Sequence, residues 1–398
     1  MLSDRNRARP SSRLRRASRR AVPVLRAVLF AAAALGLASC SQYEPVDTTE
    51  ILEHQYRERL GKKAAAEVEV PFALSPEIIE RIDAQYKTGT NEKRRVEQVL
   101  SFIFERLRLE YSLTPTRNAV DTYAAREGNC LSFVNLFVGL ARHQRLNPFY
   151  VEVTDYQRWN YRQGMVVSRG HIVAGMYVDG ELKTYDFLPY RAKAYKDFNP
   201  IDDITAAAHY YNNLGAEALL DGNVEEGLRL TSLANQIDPA FTKAINNLGV
   251  AYARSGEPAK AIETYRKGLE IEETNVALLT NLARSYQQQG RIDEALATLA
   301  QVEGINTTNP FFYIYKGELA LAQGDHELAL SYMVDALRRD REMPEVHLGL
   351  VKVYVAAGDL EKARRHLERA LRLDATNAEA RRFAAMLSPS PDNPSDER

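Results

Sequence analysis

The chain has 398 residues, enough for two or three domains, and its 45% hydrophobic and 26% charged content is that of a soluble, folded protein. The net charge of −1 conceals an asymmetry. Nine arginines and one acid, Asp4, fall in residues 1–39, which leaves about −9 on the remainder and excludes a nucleic-acid binder with a basic footprint on its folded part. The two cysteines, Cys40 and Cys130, exclude a disulfide framework and a cysteine-rich zinc site.

In residues 1–39 the arginines precede an apolar run from Ala27 to Ala38. That run is too short for a permanent bilayer helix, which needs roughly 20 residues. A charged segment, a short apolar core and small residues at its end read as a secretory signal. The end, Leu37-Ala38-Ser39-Cys40, resembles the bacterial lipobox, in which the cysteine is diacylated and becomes the mature N-terminus. The resemblance implies a lipid anchor at Cys40. With Ser41 rather than Asp behind it, it also implies the outer membrane, facing the periplasm. Residues 40–50 are expected to be a polar tether.

Residues 51–115 look mostly helical. Val96, Val99, Leu100, Ile103, Phe104 and Leu107 trace one helical face, with Phe102 off the stripe. A Gly128-Asn129 turn then leads into an apolar-rich helix beginning at Cys130. A thiol there meets unpaired backbone N–H groups and the positive end of the helix dipole. Both favour the nucleophilic thiolate and can stabilise an oxyanion. The bland reading is a buried, inert cysteine. Strands are expected over 149–153 and 170–178, with a loop between them that holds Trp159, the only tryptophan. Asp179-Gly180 marks a tight hairpin turn, and 181–187 is the return strand. Counted from that turn, His171 and Asp186 are offset by an even number, so they share a face. A carboxylate beside an imidazole orients it and fixes its tautomer. If this hairpin packs on the N-terminus of the Cys130 helix, the three form a Cys–His–Asp triad.

The order of a helix-borne cysteine, strand, strand with histidine, hairpin and aspartate resembles the transglutaminase-like fold of the papain-like superfamily, over about residues 90–190. Its best segments are Gly128-Asn129-Cys130-Leu131-Ser132-Phe133, Leu136 to Arg142, and Asn147 to Val153. The resemblance implies Cys130 as nucleophile, His171 as general base and then acid, and Asp186 as its orienter. Tyr123 and Asn129 are candidates for the polar oxyanion partner, and Trp159 for a wall of the substrate cleft. No calcium-loop pattern is present, and no cofactor or metal is expected.

The rest of the chain repeats itself. Gly222, Gly256, Gly290, Gly324 and Gly358 are spaced 34 residues apart. Leu214-Gly215, Leu248-Gly249 and Leu282-Ala283 precede them, and Ala261, Ala295, Ala329 and Ala363 follow five residues behind. Each unit reads as two antiparallel helices that bury their apolar faces only by stacking on neighbours. The pattern resembles the tetratricopeptide repeat, with units at 208–241, 242–275, 276–309, 310–343 and 344–377. In the fourth unit Lys316 replaces the usual Leu. The resemblance implies a groove for a protein or peptide partner, with Asn213, Asn247 and Asn281 in one slot of successive first helices.

The expected architecture is therefore an α+β transglutaminase-like cysteine domain followed by an all-α tetratricopeptide-repeat solenoid. The divisions are a signal peptide over 1–39, a tether over 40–50, the cysteine domain over 51–190, a linker over 191–207, repeats and a capping helix over 208–386, and a polar tail over 387–398. The expected activity is acyl transfer or hydrolysis at amide or peptide bonds, with the repeats holding a partner and the lipid holding the membrane. The alternative is a non-catalytic lipoprotein scaffold for an envelope complex.

Overall fold

A computed structural model describes residues 48–86, 91–162, 165–188, 195, 197–302 and 309–388, with backbone only for 154–162 and 165–169. The expected signal peptide, Cys40 and the tail from 389 lie outside the described residues.

The first helix, α1 (Thr48–Ala65), already takes in the end of the expected tether. Ser75 caps α2 (Pro76–Gln85), and Asn91 caps α3 (Glu92–Ser101). The last of these continues into a π-helical turn, Phe102–Leu107. The wider i→i+5 turn rotates the apolar stripe. Phe102 is therefore fully buried and Phe104 is 49% exposed, the reverse of what an unbroken 3.6-residue period predicts.

Two short parallel strands, β1 (Glu110–Tyr111) and β2 (Glu127–Gly128), flank α4 (Ala119–Ala125) and lead into α5 (Cys130–His143). Then come β3 (Phe149–Arg162), β4 (Met165–Val178), β5 (Glu181–Tyr185) and β6 (Phe198–Ile201). They form one antiparallel sheet in the order β5-β4-β3-β6. The loop expected around Trp159 is instead the outer part of a long hairpin. Its ladder resumes at Arg158↔Arg169 after an irregularity beyond Val153, so His171 lies in mid-strand and Trp159 pairs with Ser168. Asp179 and Gly180 turn the next hairpin with positive φ at both positions (52° and 81°), the twist that a two-residue connection requires. The helix α5 is buried along nearly its whole length and packs against β4. Tyr150, Ile172, Ala174 and Met176 meet it from the sheet.

Five antiparallel helix pairs follow: Asp203–Leu220 with Val224–Ile237 (α6, α7), Thr242–Arg254 with Pro258–Ile271 (α8, α9), Val276–Gln288 with Ile292–Ala300 (α10, α11), Pro310–Ala322 with His326–Arg339 (α12, α13), and Pro344–Ala356 with Leu360–Leu373 (α14, α15). A final helix, α16 (Ala378–Leu387), closes the array. The five turn glycines all have φ between 74° and 83°, which explains a glycine at each 34-residue step. At Gly249 the need is for space instead: a Cβ there would stand 2.3 Å from the Tyr265 ring. Lys316 lies over the rings of Phe312 and Tyr332, the latter at 4.4 Å, so its cation and stem occupy the place of the usual Leu.

The expected linker over 191–207 is corrected by the structure. Within it β6 pairs with β3, Asp202 caps α6 and α6 begins at Asp203. Over residues 197–207 no slack remains, because apolar residues of the first helix pair complete the core of the preceding part. A single buried cluster runs from Leu52 through α5 and the sheet to Ala244. Polar contacts reinforce the join. Both terminal nitrogens of Arg142 donate to Asp203 at 2.8 Å, Glu69 N–H donates to Tyr211 Oη at 2.8 Å, Arg59 donates to the Ile237 carbonyl, and Lys243 pairs with Glu152. All the described elements cluster as one compact unit. Among the described residues no helix is long and apolar enough to cross a membrane.

Candidate active site

Asn129 sets the start of α5. Its backbone is extended, and its side-chain Oδ1 accepts the Ser132 N–H and Oγ–H, both at 3.0 Å. Cys130 is then the first helical residue, and its N–H has no carbonyl one turn back to bond. Its thiol is free and half-buried. Gly128 permits the approach: a Cβ there would stand 2.5 Å from Ser132 Cβ.

The β4–β5 ladder runs from Val178↔Glu181 to Ala174↔Tyr185. One step further Asp186 comes level with Val173, diagonal to His171 on the same face. His171 is 1% exposed, and its Nε2 is 2.8 Å from Asp186 Oδ1. Asp186 is itself held, by the Leu188 N–H at 3.0 Å to Oδ1 and by the Tyr195 hydroxyl at 2.5 Å to Oδ2. The Cys130 thiol is close enough to the imidazole to act on its charge.

Burial opposes a charge on His171, but the hydrogen bonds to Asp186 and Cys130 outweigh it and raise the imidazole to about 9. Burial likewise works against the Asp186 carboxylate, yet the bonds from His171 and Tyr195 bring it below the usual range. Both shifts favour the charged forms, imidazolium and carboxylate, over the neutral ones. Among the described residues no group of three or more His, Cys, Asp and Glu could hold a metal ion.

The other sequence candidates sit differently. The amide of Asn129 is committed to the helix cap on one side and to Thr116 Oγ1, at 2.7 Å, on the other, so it is not free to face a substrate. Tyr123 packs against the core with its hydroxyl buried and unpaired, not in an open cleft. Trp159 is on β3, and its side chain lies outside the described residues. Sequence reasoning missed Tyr195, whose ring is tilted by 51° against that of His171 with centroids 5.5 Å apart. It lies nine residues past Asp186 in a stretch with no periodic pattern to flag it.

In the array the asparagines mostly bond one another. Asn247 Nδ2 donates to Asn212 Oδ1 at 2.8 Å, and Asn281 Nδ2 to Asn246 Oδ1 at 2.7 Å. Two of the three expected groove amides thus stitch neighbouring repeats, and the cross-link runs through Asn212 instead of Asn213, which is half-buried. Further along, the first helices of successive pairs enclose a hollow of about 200 Å³ that includes Asn281, Arg284, Tyr315, Glu345 and Lys352. Lys352 bridges Glu318 and Glu379 at 2.8 and 3.0 Å, and burial pushes Glu345 up to about 6.

The tetratricopeptide repeat family model matches residues 252–310 and 320–387. The array carries tetratricopeptide repeats. Solved tetratricopeptide structures that match include a thermophilic protein of Thermus thermophilus, at 19% identity over 45% of this chain and 98% of that one (TM-score 0.42). The solved structure of Pseudomonas aeruginosa pilF also matches, at 26% identity over 46% of this chain and 84% of that one (TM-score 0.41). YrrB, described as a tetratricopeptide protein with an unusual peptide-binding site, matches at 18% over 45% and 92% (TM-score 0.33). No curated protein matches the chain. Tetratricopeptide repeats make this half of the protein a surface for protein–protein interaction.

Proposed function

We propose that the protein is a transglutaminase-like cysteine enzyme of the bacterial envelope, lipid-anchored through Cys40, in which Cys130, His171 and Asp186 transfer an acyl group while the repeats hold a protein or peptide partner. One observation carries the reading: a buried imidazole bonded to Asp186 at 2.8 Å, its charge favoured by a nearby thiol at the first position of a helix. The thiolate adds to an amide carbonyl carbon, and the oxyanion faces the N–H groups at the helix start. His171 gives its proton to the leaving nitrogen as the C–N bond breaks. The neutral ring then takes a proton from water or an amine, which attacks the thioester and releases the sulfur. Asp186, braced by Tyr195, keeps the ring aimed.

The test is alkylation of Cys130 by iodoacetamide across pH, in wild type and Asp186→Asn, with the modified peptide quantified by mass spectrometry. Reaction well below about pH 8.5, slowed by about tenfold or more in Asp186→Asn, supports the enzyme. Profiles of an ordinary thiol in both proteins leave a tethered scaffold, the reading that the tetratricopeptide array favours by itself. Activity-based labelling of wild type against Cys130→Ala would then identify the acyl donor.

A further inference from the structure

Glu217 lies on α6, in the first helix pair, but its carboxylate reaches into the part that carries Cys130. Its Oε1 accepts the Thr116 hydroxyl at 2.7 Å, and its two oxygens share the Thr116 N–H at 2.9 and 3.0 Å. The hydroxyl proton is thereby spent, so Thr116 Oγ1 can meet its next neighbour only as an acceptor. That neighbour is Asn129 Nδ2, at 2.7 Å. Pinned by its amine side, Asn129 turns Oδ1 toward the Ser132 N–H and Oγ–H, and Ser132 Oγ accepts the Arg117 N–H at 2.8 Å. Thr116, Asn129 and Ser132 are 3%, 7% and 0% exposed, so water does not replace a lost partner. Each donor is fixed by the one before it, and the series passes through Asn129, the residue adjoining Cys130.

We infer that Glu217 and Thr116 are positioning residues for Cys130: the first repeat helix holds the cap that aims the thiol, so a partner that shifts α6 alters the reactivity of Cys130 without touching it. The inference rests on the nucleophilic role proposed above. It assigns the repeats a regulatory part beyond holding a partner.

The experiment measures the alkylation profile of Cys130 against pH in the full chain. The variants are Thr116→Val, Thr116→Ser and Glu217→Gln, with Asp203→Asn as a control that weakens a different contact between the same two parts. Urea unfolding of each variant is measured alongside. Thr116→Val and Glu217→Gln should slow alkylation by about fivefold, the worth of roughly one buried hydrogen bond, and move the profile midpoint by about half a pH unit. Thr116→Ser should restore both. Asp203→Asn should lower the urea midpoint and leave the profile in place. A reactive wild type whose profile Thr116→Val leaves unchanged overturns the relay alone. An Asp203→Asn profile shifted as far as that of Thr116→Val also overturns it, since the effect would then be general loosening. Ordinary thiol behaviour in wild type removes the enzymatic reading itself.

Discussion

In the solenoid a side chain finds its counterpart 34 positions along the chain, and the same contact recurs from pair to pair. At the candidate active site Cys130 meets His171 and Asp186 across 41 and 56 positions, in an arrangement made once. Periodic contacts leave each unit dependent on its neighbours alone, and damage to one stays near it. The site depends on long-range closure of helix and sheet with Tyr195, and its geometry is lost if any of them slips. The border between the two regimes does not fall where the periodic pattern begins. The first helix pair keeps the repeat geometry but shares its core with the sheet and α5, so it belongs energetically to both.

The border can be broken at Arg142. This guanidinium donates to Asp203 twice, lies over the Phe72 ring at 4.5 Å and is largely buried. Arg142→Ala leaves Asp203 without its partner and should cost about 3–5 kcal/mol. Urea unfolding followed by far-ultraviolet circular dichroism should show the loss in the transition of the α+β part and first pair together. A first pair that unfolds unperturbed would place the border back at residue 202.

The second effect belongs to the site alone. His171 has its pKa raised to about 9, above the unfolded value of 6.5. Its stabilisation is present in full below about pH 6.5 and is lost as pH rises through about 9, a change on the order of 3 kcal/mol. Urea midpoints taken at intervals across that window should fall in wild type and stay flatter in Asp186→Asn. A third measurement compares packing with backbone freedom inside the solenoid. Gly249→Ala drives a methyl into the Tyr265 ring and should cost about 1–3 kcal/mol. Gly256→Ala meets open space and strains only the turn, at φ 81°, for about 1 kcal/mol. Equal losses in thermal unfolding would mean that the solenoid relaxes around the added methyl.

Different parts of the molecule were legible to different degrees, for physical reasons. Helix pairs announce themselves because each needs the same small residue at the same close approach, so Gly256 and Ala261 mark a turn and an interface that recur. The shared face of His171 and Asp186 was readable because Asp179-Gly180 pins the register and strand parity does the rest. Phe104 was misread because one widened turn rotates the stripe, and no residue type marks a π-turn reliably. The strand identity of the Trp159 segment was hidden by its polar composition, and β6 by its brevity, its Pro200 and its place at the sheet edge. Tyr195, Thr116 and Glu217 escaped altogether, since a hydrogen bond between distant segments leaves no spacing to count.

One residue separates the sheet from the array. Ile201 closes the ladder with Tyr150, Asp202 caps the helix through the Thr205 N–H at 2.9 Å, and Asp203 is already within the first turn. A load applied to the far repeats therefore meets a stiff crank. Torque on α6 passes into the edge strand, and from there through β3 to the strand that bears His171, so the half that carries Cys130 would feel a tug that a slack tether would absorb.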